Sequence, residues 1–249
     1  MATGGSLVAA GGSLRTLAVY DRILELAGGR DSARIVFVAT NSNNYPLQDG
    51  GAADLASFLA TSGYGDLPNP VVLRHTYDPA VAETPEFWQT FDEATGIFFT
   101  GGRPYRSVLA YKNTATQAAC ERLLARGGVI SGSSAGMLMM SNVMLRSDLS
   151  GDNEIVLGDL REGMAFGGMV NLAFDVHNLE RNRAFDPVEV VAAEDYGGLL
   201  LALSADEDTA FSLIGDELQV IGNGFVAIYD PTLWQEINYC GNFRLCVRP

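Results

Sequence analysis

The residues best suited to chemistry are the five at positions 132–136, Gly-Ser-Ser-Ala-Gly. An apolar run at 129–130 precedes them, and a helix-compatible run at 137–140 follows. Strand, tight turn and helix in this order are the context of a nucleophile elbow, where a strained serine lifts its hydroxyl clear of the sheet edge. Small neighbours are needed because larger side chains would collide. The pattern predicts Ser134 as a nucleophile; a glycine-rich phosphate turn or plain close packing is the alternative.

Two glycine-flanked turns offer backbone amides that could hold the charge of an attacked carbonyl oxygen. The amide of Ala135 opens the helix after the elbow and is expected to point at the same spot, as half of an oxyanion hole. Gly101 and Gly102 end a second apolar run at 96–100. An amide from that turn is expected to face the same hole; an ordinary strand-to-helix turn is the alternative.

A serine alcohol needs a base to remove its proton, and the chain contains only two histidines. His75 and His177 each follow an apolar run, where sites of open α/β sheets gather at the carboxyl ends of strands. His177 is favoured because it follows the serine and has acidic residues between. A loop histidine without a catalytic role is the alternative for both.

The acid that would orient the histidine is expected between the serine and the histidine. Asp148, Asp152, Glu154 and Asp159 all lie there. Asp152 is favoured because Ser-Gly-Asp-Asn at 150–153 predicts a turn that folds back under the imidazole. Most carboxylates of so acidic a chain are solvated surface groups, which is the alternative for each candidate.

The elements that must position these residues alternate along the first half of the chain. Apolar runs at 7–10, 34–40, 71–73, 96–100 and 129–130 predict strands, and patterns at 20–27, 52–61, 85–93 and 114–126 predict helices. Strands separated by helices imply a mostly parallel sheet covered on both faces. With right-handed crossovers, the fold class predicted is doubly wound α/β.

The second half of the chain changes character. Runs at 169–174 and 199–203 predict further strands, and three short ones follow at 210–214, 218–221 and 225–229. Glycine turns separate the short strands, so they predict an antiparallel C-terminal extension at the edge of the parallel sheet. No linker, repeat or low-complexity segment interrupts the sequence, which predicts one domain over residues 1–249.

Charge and composition exclude several classes of function. The 249 residues carry a net charge of −14, so no basic patch is available for nucleic acid. No apolar run approaches the length of a membrane span. The start lacks the basic and apolar regions of a secretory signal, which favours the cytoplasm unless the chain is a trimmed mature form.

The three cysteines predict no metal site, because none has metal-ligand spacing. Cys120 lies on a predicted helix and is expected to be buried. Cys240 and Cys246 flank Gly-Asn at 241–242, which predicts a hairpin with either a cross-strand disulfide or two reduced thiols, the reduced form being favoured for a cytosolic chain.

The chain resembles the cyanophycinase branch of the S51 serine peptidases, which also contains the aspartyl dipeptidases. Four motifs carry the resemblance and span nearly the whole chain. They are a strand ending in Thr100-Gly101-Gly102, the elbow Gly132-Ser133-Ser134-Ala135-Gly136, the segment Asp175-Val176-His177-Asn178 with Arg181 and Arg183, and Asp206-Glu207-Asp208-Thr209-Ala210.

This resemblance implies a serine-type peptidase with Ser134 as nucleophile, His177 as base and an acid from the Asp152 loop. It implies an oxyanion hole from Ala135 and the amides of Gly101 or Gly102. Cyanophycin or a related aspartyl peptide is the implied substrate, cleaved through an acyl-enzyme. No cofactor or metal is implied, a homodimer is, and the fold is expected to be flavodoxin-like, as in class I glutamine amidotransferases.

Departures from the family pattern concentrate where substrate is held. Arg103-Pro104 replaces an Asn-Gln pair, Val176 and Asn178 replace the glutamine and phenylalanine beside the histidine, and Asp186 lies where a third arginine is expected. These changes make hydrolysis of cyanophycin itself doubtful. Together with Asp175, the residues Arg103, Arg181 and Arg183 are predicted to bind substrate, the arginines by clamping a carboxylate. Surface ion pairs to Glu180 or Asp186 are the alternative.

Two rival functions remain open at this point. An α/β-hydrolase esterase shares the serine, acid, histidine order, although a histidine 43 positions after the serine (177 − 134) is early for that fold. A non-catalytic binding protein that retains the scaffold is the second rival. A glutamine amidotransferase is excluded because serine stands in place of the required cysteine.

Overall fold

The described strands of the protein fall into two larger sheets and one small pair. The structure is a computed structural model that describes residues 4–146, 162–192, 201–233, 238–239 and 243–244. Its strands are β1 (Ser6–Ala10), β2 (Ile35–Val38), β3 (Val72–Arg74), β4 (Gly96–Phe99), β5 (Val129–Ser133), β6 (Val143–Met144), β7 (Leu172–Val176), β8 (Leu201–Ala205), β9 (Thr209–Ile214), β10 (Glu217–Gly222), β11 (Val226–Tyr229), β12 (Asn238–Tyr239) and β13 (Phe243–Arg244).

Helices connect the strands of the first half, as the alternating pattern predicts. The described helices are α1 (Leu17–Leu26), α2 (Ala52–Ser62), α3 (Pro79–Ala82), α4 (Pro85–Glu93), α5 (Pro104–Tyr111), α6 (Ala115–Ala125), α7 (Ala135–Leu138) and α8 (Asp186–Ala192). Proline at the first position fits the start of α4, since its missing N–H has no partner in a helix's first turn. No described helix is long and apolar enough to cross a membrane.

The main sheet has the strand order β10-β9-β1-β5-β4-β2-β3. Five of these strands, β1, β5, β4, β2 and β3, are parallel to one another. β9 pairs antiparallel with β1, and β10 pairs antiparallel with β9 at the edge of the sheet. Alternate side chains of these strands enter two apolar cores. One core contains α1 and α2, and the other contains α4, α5 and α6. The doubly wound α/β class and the antiparallel extension are thereby confirmed.

A second sheet differs from the prediction of a single one. Its order is β11-β8-β7-β6, with β6, β7 and β8 parallel and β11 antiparallel. The last predicted short strand, β11, therefore pairs with β8 and does not extend the β9–β10 hairpin. Turn signals between strands give the order of hairpins but not which sheet a strand joins, because that depends on contacts distant in sequence.

Parallel pairing brings the ends of three strands to one place. β5 lies between β1 and β4 at the centre of the main sheet. The turn at 11–12 after β1, the turn at 101–102 after β4 and the elbow after β5 therefore share the carboxyl edge of the sheet. β7 ends at the same place, because the His177 N–H donates to the carbonyl of Gly11 at 3.1 Å.

The cysteine predictions are tested only in part. Cys120 on α6 is buried, and burial raises the pKa of its thiol. β12 pairs antiparallel with β13 on either side of the predicted hairpin. Cys240 and Cys246 themselves lie outside the described residues, as do Asp148, Asp152, Glu154 and Asp159.

Candidate active site

Ser134 occupies the strained turn that the elbow pattern predicts. Its backbone has φ 54° and ψ −114°, in a region that costs a residue with a side chain about 1–3 kcal/mol. The turn directly joins β5 to α7, a helix of four residues. Such strain holds the serine side chain at one place above the sheet edge.

The small neighbours of Ser134 are required by close approaches between backbone segments. A methyl group at Gly132 would lie 2.9 Å from the Cα of Gly136 and overlap its carbonyl. One at Gly136 would lie 2.8 Å from the carbonyl carbon of Phe99 on β4. The pattern of glycines at 132 and 136 thus has the steric cause proposed from the sequence.

The hydroxyl of Ser134 lies against the predicted base. Its Oγ is 2.8 Å from Nε2 of His177, a hydrogen-bonding distance. The imidazole is nearly enclosed, with 4% of the residue exposed. Of the two histidines, His177 is therefore the one that the fold brings to the serine, and the two residues are 43 positions apart in sequence.

A carboxylate lies within hydrogen-bonding distance of the other ring nitrogen of His177. Oε1 of Glu207 lies 2.7 Å from Nδ1. Since a carboxylate can only accept, the Nδ1–H donates to Glu207, and Nε2 is left to accept the proton of the Ser134 hydroxyl. This tautomer is the one in which a histidine can act as base towards serine.

The carboxylate that the described structure places on the imidazole is that of Glu207. Nδ1 carries a single N–H, and Glu207 already accepts it. Asp152 lies outside the described residues. Glu207 follows His177 by 30 positions, whereas the acid expected from the sequence precedes it.

The two acids beside Glu207 hold the segments around the imidazole. Asp206 Oδ1 accepts the N–H of Leu179 at 2.9 Å, which ties the chain after His177 to the β8–β9 turn. Asp208 Oδ1 accepts the N–H groups of Arg15 and Thr16 at 2.6 and 2.7 Å. Three consecutive acids therefore orient the ring and fix the loops on both sides of it.

Gly12 packs directly on the imidazole of His177. It adopts φ +119°, and a methyl group there would lie 2.8 Å from both ring nitrogens and overlap Cε1. The N–H of Asp208 donates to the Gly12 carbonyl at 2.9 Å, which fixes the turn in this position. Only a glycine meets both requirements, a left-handed φ and no Cβ.

We expect Gly12→Ala to lower kcat/KM about 100-fold, because the added methyl displaces the ring from Ser134 and small displacements in a catalytic site cost this much. Steady-state kinetics on an amide substrate measure the change. Gly29→Ala is the matched control, since Gly29 also has positive φ (+86°) but open space around its Cα. Equal activity in the two variants would contradict the role of ring contact.

Burial and charge set the protonation of the serine's partners. Burial lowers the pKa of His177, and the positive charge of Arg181 lowers it further against the opposing effect of Glu207. Burial alone would raise the pKa of Glu207, but hydrogen bonds from His177 and Ser13 lower it overall. At neutral pH the site therefore holds a neutral imidazole and an ionised carboxylate, as base catalysis requires.

A cleft of about 290 Å³ opens above these residues and is called here the Ser134 cleft. Its described lining contains Asn43, Gly102, Arg103, Pro104, Ser134, Leu138, Arg146, Val176, His177, Arg181 and Arg183. Gly101 lies beside the nucleophile, since a methyl group on it would be 3.4 Å from the Cβ of Ser134. Of the predicted oxyanion residues, Gly102 thus lines the cleft, Gly101 lies beside the serine, and Ala135 follows the serine directly.

Comparison with known proteins places the chain beside one group of enzymes. Over 154 residues it is 31% identical to cyanophycinases from Trichormus variabilis and a Nostoc species, covering 60% of this chain and 50% of each relative. Over this stretch the chain resembles cyanophycinases. It spans about half the length of the curated relatives it matches, and no family model matches its sequence.

Solved structures show a likeness of fold over most of the chain. A peptidase from an acI-B1 actinobacterium superposes with a TM-score of 0.69 at 19% identity, covering 91% of this chain and 92% of the other. A Listeria monocytogenes EGD-e protein provisionally assigned as peptidase E gives a TM-score of 0.59 at 13% identity, covering 88% and 99%. These likenesses confirm the fold predicted from the sequence.

Two acidic residues beside the Ser134 cleft pair with an arginine. Asp175, predicted to contact substrate, is fully buried and receives Nε and Nη2 of Arg146 at 2.7 and 3.1 Å. Asp186 also pairs with Arg146. Asp175 is therefore a support for Arg146, which lines the cleft and was missed because its partners lie 29 and 40 positions away.

His75 lies away from Ser134 in this fold. It follows β3 at the far edge of the main sheet, and its Nδ1 is 3.2 Å from the Thr40 hydroxyl. It lines a separate cleft with Arg74 and Phe87, and burial lowers its pKa. The rule that sites gather at strand ends does not distinguish between the two histidines; the sheet order does.

Proposed function

We propose that this chain is a serine-type peptidase of the cyanophycinase-like S51 group, in which Ser134 is the nucleophile, His177 the general base and Glu207 the orienting acid. The observation that carries the proposal is the unbroken hydrogen-bonded chain from Ser134 Oγ through His177 to Glu207, with links of 2.8 and 2.7 Å. Geometry of this kind defines a catalytic triad independently of residue order in the sequence.

The proposed reaction has two halves. Ser134 attacks the amide carbonyl as His177 takes its proton at Nε2, and the imidazolium then gives that proton to the leaving amine. Water, deprotonated by the same nitrogen, hydrolyses the acyl-serine. Glu207 stabilises the imidazolium in both halves without itself being protonated, which is consistent with its lowered pKa.

The negative charge on the attacked oxygen is assigned to backbone amides. Ala135 supplies one, since it follows the nucleophile at the turn, and Gly101 or Gly102 supplies the other from the end of β4. None of these three amides donates to another described residue of the chain. Preorganised amides of this type contribute a factor of about 10²–10³ in turnover each.

The substrate class follows from the relatives and from the charge of the cleft. Cyanophycinase is the name of the relatives, and four arginines line the Ser134 cleft. Both favour a peptide with an aspartyl residue at the cleaved bond, because guanidinium groups bind carboxylates with two parallel hydrogen bonds. A homodimer and a cytoplasmic location stay predictions from the sequence.

We expect the acid limb of kcat/KM to lie below about pH 6.5, the usual histidine pKa. The base works only when neutral, so activity falls as pH drops through the lowered pKa of His177. Arg181→Gln removes a positive charge that lowers this pKa and is expected to move the limb to higher pH. Arg30→Gln, an exposed residue at the opposite end of the sheet, should leave it unmoved in the same pH series.

A fluorophosphonate probe and a set of amide and ester substrates test the function. Covalent labelling of Ser134, with amine released from an aspartyl peptide, supports the peptidase. Ester turnover without amide turnover would favour the esterase. Absence of labelling and of turnover would favour the binding protein that only retains the scaffold.

A further inference from the structure

The Ser134 cleft concentrates cations in a chain that is otherwise acidic. Four of the sixteen lysines and arginines line it, although the net charge is −14. The described lining contains no carboxylate. Gathering like charges in one small cleft raises their mutual repulsion, so the arrangement fits a site that binds anions.

The arginines of the cleft come from separate segments of the chain. Arg103 immediately precedes α5, next to the turn at 101–102 after β4. Arg181 and Arg183 follow His177, and the Arg181 N–H donates to the His177 carbonyl at 3.2 Å. Both segments line the Ser134 cleft, so a peptide bound there would meet cations from the turn after β4 and from the segment after His177.

Arg146 and Arg183 differ in how far described carboxylates neutralise their charges. Arg146 is ion-paired with Asp175 and Asp186. Arg183 forms no ion pair with a described carboxylate, and its Nη1 donates to the Val176 carbonyl at 3.2 Å. Burial, followed by the positive charge of Arg146, lowers the pKa of Arg183 to about 10. The cleft around Arg183 is therefore at positive potential.

On the basis of the peptidase function above, we propose that the Ser134 cleft selects peptides with an acidic residue on both sides of the scissile amide, and that Arg103 is a specificity-determining residue. A sphere of 290 Å³ is about 8 Å across, no more than the screening length at physiological salt. Every charge on a bound peptide is therefore felt by all the lining arginines. An acidic leaving residue is attracted, and the arginyl branch of cyanophycin is repelled.

Three dipeptides that differ in the leaving residue test this selectivity: β-aspartyl-glutamate, β-aspartyl-glutamine and β-aspartyl-arginine. Glutamate and glutamine match in size and differ in charge. We expect kcat/KM to be about tenfold higher for the glutamate peptide than for the glutamine peptide, and lowest for the arginine peptide. Arg103→Gln should reduce the glutamate-to-glutamine ratio to about threefold or less, whereas the remote control Arg30→Gln should preserve it.

Binding to Ser134→Ala, measured by calorimetry with the same peptides, separates this inference from the catalytic one. A tenfold affinity preference for the glutamate peptide that contracts on adding Arg103→Gln supports the inference even if the parent protein turns over none of them, a result that would contradict only the peptidase. Equal affinities for glutamate and glutamine peptides, or a preference unchanged by Arg103→Gln, would overturn the inference and leave the peptidase standing.

Discussion

Ser134→Ala is expected to abolish peptidase activity, with a loss of about 10⁵-fold or more in kcat. Removing the serine of a triad leaves only what the oxyanion hole and binding contribute, so the loss is nearly that of the whole triad. The His177 imidazole would then have no hydroxyl to deprotonate at its present 2.8 Å distance. Turnover of an aspartyl peptide and fluorophosphonate labelling measure the change.

Ser133→Ala is the matched control for that result. Ser133 is the neighbouring serine of the same elbow and ends β5, but no described hydrogen bond joins its hydroxyl to His177. We expect this variant to keep activity within about threefold, since it changes no group of the proposed triad. If Ser134→Ala were labelled at Ser133, or if the two variants were equally inactive, the assignment of Ser134 as nucleophile would be wrong.

The parts of the site that sequence reasoning found are those that short-range chemistry dictates. The elbow can be predicted from the sequence because close backbone approaches require glycine at 132 and 136. His177 follows a predicted strand closely and is one of only two histidines, and its position after the serine favours it over His75. The elbow and the strand end are signals that lie within a few residues of the group they predict.

Glu207 was not among the acids predicted from the sequence, because its position depends on how two sheets meet. Glu207 lies in the turn between β8, in the second sheet, and β9, which returns to pair with β1 in the main sheet. That return carries Glu207 past the end of β1, where His177 is held. A usable signal existed: Glu207 follows a predicted strand, as His177 does, but the expected order of serine, acid and histidine excluded it.

Arg146 shows the same limit for substrate recognition. Its place in the cleft depends on ion pairs to Asp175 and Asp186, which come from β7 and α8. Asp175 was predicted to contact substrate as part of the motif at 175–178 that carries the family resemblance. Burial reverses that role: a fully enclosed carboxylate is stabilised by a guanidinium and does not face a ligand.

Glu207→Gln is expected to lower kcat about 10³–10⁴-fold while leaving substrate KM nearly unchanged. Glutamine keeps the size of the side chain but loses the charge that stabilises the imidazolium, and its amide can hold the ring in the unproductive tautomer. The carboxylate also raises the pKa of His177, so its removal should move the acid limb of the pH profile downward. Kinetics across a pH series measure both effects.

Asp152→Asn decides between the acid that the fold shows and the one that chain order predicts. If Glu207 is the orienting acid, Asp152→Asn should retain turnover within about threefold, because Nδ1 of His177 has one proton to donate and Glu207 accepts it at 2.7 Å. A loss in Asp152→Asn as large as that in Glu207→Gln would contradict the assignment. A large loss in Asp152→Asn alone would restore the order of serine, acid and histidine, since the ring would then take its orientation from the carboxylate at 152 while Glu207 acted only as a polar neighbour.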